Sequence, residues 1–151
     1  MKEAQGDLFE QVCDAVVIPT NGVVLRGGAA VMGLGVALRA LQTWPGIGFT
    51  LGRLLRERGN NVHVIFGGSP ARPTRVVSFP TKHDWRDPSD LRLIARSAGQ
   101  LVQSADVCGW TRICLPRVGC GAGGLMWHDV KATLAPILDD RFVVVSRESP
   151  A

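Results

Sequence analysis

No two of the four cysteines, Cys13, Cys108, Cys114 and Cys120, are spaced as C-x-x-C, and no His/Cys ligand cluster accompanies them. Their arrangement argues against structural zinc and is read as reduced thiols in a cytoplasmic protein. The opening residues, MKEAQGDLFE, lack the apolar core of a secretory signal. No stretch approaches the run of about 18 apolar residues that a membrane helix needs, so no membrane role is expected. Internal repeats, low-complexity runs and interdomain linkers are also missing. The 151 residues are therefore expected to form one domain, 1–151, long enough to bury a real core. A net charge of +4 gives a mildly basic surface. That suits an anionic ligand or nucleic acid without specifying either.

Glycine is what the chain has in concentrated form. PRVGCGAGGLMW, from Pro116 to Trp127, places Gly119, Gly121, Gly123 and Gly124 between an apolar, β-branched stretch (111–118) and a candidate helix (126–138). A strand, a glycine-rich turn and a helix N-terminus can form an anion cradle. Backbone N–H groups point at the ligand, and the missing Cβ atoms let it approach closely. Gly119, Gly121 and Gly124 also satisfy G-x-G-x-x-G, a weak signal alone that a tight turn would equally explain. A second glycine-rich segment, RGGAAVMGLGVALRAL from Arg26 to Leu41, sets Gly33 and Gly35 before another helical run. Two such loops could hold a diphosphate from opposite sides.

The intervening residues read as alternating strands and helices. Gly6 to Glu10 is a candidate edge strand or its end, with Asp7 either a turn residue or an acceptor for a ligand amino group. DAVVIPT (14–20) is a continuous apolar run, hence a buried strand. Asn21 follows its end, where ligands bind in open α/β sheets, though Asn-Gly is also turn chemistry. A helix is expected over 47–58, with Arg53, Arg56 and Arg58 on a solvated face. Strands at 61–66 and 74–81 flank a turn at 67–73; His63 in the first reads as packed. FPTKHDWR, Phe79 to Arg86, gathers polar and aromatic residues at a strand terminus. Asp87-Pro88-Ser89-Asp90 is a helix start, with Asp87 as N-cap and Asp90 at N3. Leu91, Ile94, Ala95, Ala98, Leu101 and Val102 then form an apolar stripe ending near Gly109. A last strand covers 141–146. This alternation predicts an α/β three-layer α/β/α sandwich with a central mixed β-sheet.

With GDLFE at the start, Asn21 after the second strand, MGLGVA at 32–37 and PRVGCG at 116–121, the chain resembles a macrodomain over nearly its whole length. FPTK at 79–82, Trp85-Arg86, and GCGAGGL before Trp127 resemble the DarG-type antitoxin macrodomain of DNA ADP-ribosylation systems and its relative, terminal ADP-ribose protein glycohydrolase. The resemblance implies ADP-ribose as ligand and neither metal nor cofactor. It implies that Asp7 accepts from the adenine amino group and that Leu8 supplies a backbone contact. Gly33, Leu34, Gly35 and Val36, with Gly119, Cys120, Gly121, Ala122, Gly123 and Gly124, would hold the diphosphate, and Asn21 the distal ribose. Lys82 matches the catalytic lysine of that branch.

A lysine can do this chemistry. A deprotonated amine can attack the sugar's latent aldehyde carbon and form a Schiff-base-type intermediate. Without the FPTK context, Lys82 would read as a solvated lysine at a strand end. The chain departs from both relatives in having no carboxylate between Gly119 and His128. An acid/base would then come from His83, Asp84, His128 or the departing group; His83, Asp84, Trp85 and Arg86 are also candidate DNA contacts. Arg86, Arg117 and His83 are candidate cationic neighbours of Lys82.

The favoured expectation is a monomeric glycohydrolase that removes mono-ADP-ribose from thymine bases in DNA, with ADP-ribosylated DNA or protein as partner. Hydrolysis of Asp/Glu-linked ADP-ribose on proteins, and a non-catalytic ADP-ribose-binding module, are the alternatives. A nicotinamide dehydrogenase would need a further half beyond Ala151, and a P-loop kinase its G-K-[ST]; both are set aside.

Overall fold

The computed structural model describes residues 1–67 and 74–147, so most of the turn expected at 67–73 lies outside the described residues. Strands β1 (Lys2–Gln5), β2 (Ala15–Thr20), β3 (His63–Phe66), β4 (Arg75–Pro80), β5 (Ile113–Leu115) and β6 (Phe142–Ser146) alternate with helices α1 (Gly35–Thr43), α2 (Ile47–Arg58), α3 (Leu91–Cys108) and α4 (Trp127–Leu134). The strands form one sheet in the order β1-β6-β5-β2-β4-β3. Every neighbouring pair is parallel except β3 with β4, so the sheet is mixed as expected.

The strands alternate side chains between two cores. Ala15 and Val17, Ile113 and Leu115, and Phe142 and Val144 face α3 and α4, where they meet Ile94, Ala98, Leu101, Val130 and Leu134. Val16 and Ile18, Cys114, and Val143 and Val145 face the other way, toward Ala40, Ile47, Leu51 and Leu55 of α1 and α2. A sheet covered on both faces needs apolar residues at successive positions, which is why β2 reads as an unbroken run. Each fully buried Val or Leu adds about 1.5–3 kcal/mol relative to exposure.

Three local readings are sharpened or corrected. GDLFE is not itself a strand but follows the end of the edge strand β1, the second of the two readings, and Leu8–Glu10 is a 3-10 turn capped by Asp7, whose carboxylate accepts from Phe9 N. The N-cap of α3 is Asp90, accepting from Arg92 N at 2.8 Å, and not Asp87. The residues before it are committed elsewhere: Ser89 N donates to Gly123 O, and Asp90 N to Thr81 O, both at 2.9 Å. Those two bonds hold Asp90 extended and delay the helix. Finally, α4 runs Trp127–Leu134 with Met126 as its N-cap, so it begins where expected and ends short of the expected 138.

β2, β4 and β5 lie side by side and parallel, so their C-terminal ends open at one edge of the sheet. After β2 the chain moves to the α1/α2 face, and after β4 and β5 to the α3/α4 face. The diverging connections leave a crevice beyond the strand ends, where α/β folds bind ligands.

Candidate active site

A cavity of about 500 Å³ occupies that crevice. Thr20 and Asn21 reach it from the end of β2, residues 31–37 form one side, and Thr81, Lys82, Trp85 and Ser89 follow from β4. Pro116, Arg117, Gly119, Gly121, Ala122 and Gly123 close it beyond β5.

Gly33, Leu34, Gly35 and Val36 all stand in its wall. Helix α1 begins there at Gly35, whose φ of +55° is left-handed, and its N-cap Leu34 makes no side-chain cap. The first-turn N–H groups therefore have no intrahelical acceptor, and the helix dipole adds positive potential. This end of the cavity is suited to an anion.

The second glycine segment works differently. Cys120 N donates to Arg117 O, Gly124 N to Gly121 O, and Leu125 N to Gly119 O, so the loop is a series of tight turns. Gly119, Gly121, Ala122 and Gly123 line the cavity, whereas Cys120 and Gly124 do not. A Cβ on Gly121 would meet nothing within 4 Å, so its bareness leaves room on the cavity side. A Cβ on Gly123 would come to 2.1 Å from Ser89 Oγ and 2.4 Å from Gly119 O. That glycine is required by packing.

Lys82 follows the end of β4 and is half-buried in the cavity wall. Its Nζ lies 3.4 Å from both Trp85 O and Ala122 O, joining the 82–89 segment to the glycine loop. The segment is well anchored. Lys82 O accepts from Asn60 Nδ2, His83 O from Gly22 N, and Thr81 N donates to Thr20 O, each at 3.0 Å. The lysine thus sits on a fixed backbone between the two glycine segments.

Of its expected neighbours, Arg117 shares the cavity, with its guanidinium carbon 5.2 Å from the centroid of Trp127. Arg86 does not share it. Its guanidinium is held by Asp84 at 2.7 and 2.9 Å. That pair holds the Asp84 carboxyl down at about 2. Asp84 is therefore ionised at neutral pH and unsuited to donate a proton. Trp85 stands in the wall and is about half exposed, while His83 faces a separate, neighbouring cavity.

Asn21 also lines the site, with its amide engaged in its own loop: Oδ1 accepts from Val23 N at 2.9 Å and Nδ2 donates to Val31 O at 3.0 Å. Asn21 thereby ties the end of β2 to the glycine segment before α1. Asp7 and Leu8 lie outside the cavity wall, and Leu8 is buried. Both oxygens of Asp7 are taken by Arg39, at 2.7 and 2.8 Å, and Arg39 lies 4.4 Å over the Phe9 ring. Arg39 lowers the Asp7 carboxyl below its usual range. His63 is packed, with Nε2 at 2.9 Å from Gly59 O.

Thr20, Thr81, Ser89 and, as a wall residue, Arg117 escaped the sequence reading. Thr20 and Ser89 have buried hydroxyls without hydrogen-bond partners among the described residues. Their signal was position alone, each lying within two residues of a strand end or a helix cap. No cluster of three or more His, Cys, Asp or Glu able to hold a metal occurs among the described residues. No helix there is long and apolar enough to cross a membrane.

Residues 56–134 match the model of the Macro domain family. The DNA ADP-ribosyl glycohydrolase of Mycobacterium tuberculosis is 32% identical over 133 residues, or 85% of this chain and 36% of that protein. Its namesake from Thermus aquaticus is 31% identical over 143 residues, 92% of this chain and 38% of its own length. The chain thus spans little more than a third of these relatives. The solved macrodomain of Mycobacterium tuberculosis DarG superposes with a TM-score of 0.81 at 30% identity, covering 98% of this chain and 97% of that one.

Proposed function

The chain belongs to the macrodomain family, and we propose that it is an ADP-ribosyl glycohydrolase that removes single ADP-ribose units from thymine bases in DNA. The observation that carries this reading is Lys82, an amine in the wall of a cavity flanked by two glycine segments. The Mycobacterium tuberculosis and Thermus aquaticus relatives, both DNA ADP-ribosyl glycohydrolases, support DNA as the acceptor.

In this proposal the diphosphate lies between the first turn of α1 and the 119–123 loop. The distal ribose lies toward Asn21 and Lys82. Adenine would reach Asp7 by replacing Arg39 on its carboxylate. The deprotonated Lys82 amine attacks the anomeric carbon, and the glycosidic electron pair leaves with the base, which takes up a proton. The sugar–lysine adduct opens to a Schiff base, and water hydrolyses it to free ADP-ribose and the original amine.

A binding module without turnover is the second reading. Two observations favour it: no carboxylate lies between Gly119 and His128, and Asp84 is committed to Arg86. Incubation with a thymidine-ADP-ribosylated oligonucleotide and with Glu-ADP-ribosylated protein separates the readings by release of free ADP-ribose. The DNA should be stripped, and the protein slowly or not at all. Stripping of the protein alone would overturn the DNA acceptor. Release from neither, with ADP-ribose still bound, would make the chain a binding module.

A further inference from the structure

Of the two buried hydroxyls in the cavity wall that have no partner among the described residues, Thr20 and Ser89, the second stands against the glycine loop. Ser89 is 7% exposed, and its Oγ makes no hydrogen bond among the described residues. Burying a hydroxyl unsatisfied is unfavourable, and such groups in native structures call for an explanation. Ser89 stands where two cavities meet. It lines the main one with Lys82, and a second of about 450 Å³ with His83, Pro88, Leu91 and Leu125. Its backbone is fixed by the bond from Ser89 N to Gly123 O. Its side chain is not, because no hydrogen bond holds the hydroxyl in its present rotamer. The staggered positions about Cα–Cβ are the ones open to it.

We propose that Ser89 donates a hydrogen bond to the departing base, and that the second cavity receives that base. The inference rests on the glycohydrolase reading. In a DNA strand, thymine N1 carries the deoxyribose, so N3 is the ring nitrogen that can bear ADP-ribose. When the bond from the anomeric carbon to N3 breaks, its electron pair passes to N3 and spreads onto the two flanking carbonyl oxygens. The Lys82 lone pair replaces it at carbon, the amine releases a proton to solvent, and a proton from water restores N3–H.

A hydroxyl donating to one of those oxygens stabilises the charge as it develops. Pro88, Leu91 and Leu125 offer an apolar wall to the ring and its methyl group. Asp87 and Asp90 in the same wall oppose a phosphate or a carboxylate, which favours a ring over an acidic side chain. The same two carboxylates make negative charge on the departing ring unfavourable, so a donor there has work to do. Ser89 would supply it in a chain with no carboxylate between Gly119 and His128.

Ser89→Ala removes a hydroxyl that has no partner, so its Tm should hold or rise and its Kd for ADP-ribose should stay within about twofold. Its kcat/KM on thymidine-ADP-ribosylated DNA should fall about a hundredfold, as for a lost oxyanion donor. The same DNA built with 5-fluorodeoxyuridine has a more acidic N3 and a better leaving group. On that substrate the deficit should shrink clearly. Activity of Ser89→Ala within about twofold of wild type would overturn the proposal. Equal loss on both substrates would also overturn it, since a packing role beside Gly123 does not sense the leaving group. A wild-type protein that cleaves neither substrate would overturn the DNA glycohydrolase reading on which the inference rests, whereas failure of the Ser89 result alone leaves that reading standing.

Discussion

Alanine placed at Gly123 and, separately, at Gly121 should split the glycine loop into a structural and a ligand-facing half. At position 123 the new methyl would stand 2.1 Å from Ser89 Oγ and 2.4 Å from Gly119 O. The serine can rotate away. The carbonyl cannot easily do so, because it accepts from Leu125 N at 3.0 Å and belongs to the turn itself. Overpacking of this kind costs about 1–3 kcal/mol, and a backbone clash belongs at the upper end. For a domain of this size, that corresponds to a fall in Tm of about 6–12 °C. At position 121 the methyl meets nothing within 4 Å and φ is not left-handed, so Tm should stay within about a degree of wild type. Gly121 is nevertheless in the cavity wall, and the methyl would take space from the diphosphate. ADP-ribose affinity should fall about tenfold, or 1.4 kcal/mol. Calorimetric melting and titration with ADP-ribose read both effects. Wild-type melting of Gly123→Ala would refute the packing argument, and wild-type affinity of Gly121→Ala would refute the ligand argument.

That contrast marks where the sequence was legible. DAVVIPT announced itself because a central parallel strand is apolar on both faces, and the stripe of α3 because one helix face meets the sheet. The start of α3 was ambiguous, since Asp87 and Asp90 are both good caps. Hydrogen bonds from residues 89 and 90 to Gly123 and Thr81 decided between them, and no local pattern contains those bonds. Gly123 carried the same letter as Gly121, so its packing role could not be told from a ligand role before Ser89 was placed against it. The Asp7–Arg39 pair joins residues 32 apart in the chain, and composition says nothing about it. Lys82 stood out through its FPTK context alone; a lysine at a strand end is otherwise ordinary. In sequence, Ser89 is part of a helix start and Thr20 the point where a strand ends. A buried hydroxyl without a partner becomes visible only when the groups around it have been located.

Three further outcomes bear on the same reasoning. ADP-ribose should raise Tm more than AMP does at equal concentration, because the distal ribose and second phosphate reach walls that AMP leaves bare; equal shifts would show that those walls do not bind. Asp14 Oδ2 accepts from Thr111 N and Arg112 N, and these bonds lower its carboxyl from the ordinary value. A carboxyl lowered in the folded state contributes stability above its unfolded value of about 3.9 and loses it as pH falls through the folded value. Asp14→Asn should therefore be less stable at neutral pH but show a shallower loss of Tm below about pH 4; parallel curves for variant and wild type would refute this. The last outcome concerns Lys82. If Lys82 is the proposed nucleophile, its change to Ala should lower turnover about a thousandfold or more, while ADP-ribose affinity stays within about tenfold, because the proposed diphosphate and adenine contacts lie elsewhere. Lys82→Arg should be equally inactive, since a guanidinium keeps its proton and cannot attack carbon. The arginine variant is the sharper test, because it preserves the charge and removes the nucleophile. Full activity in Lys82→Arg would mean that the position supplies only a positive charge beside the distal ribose.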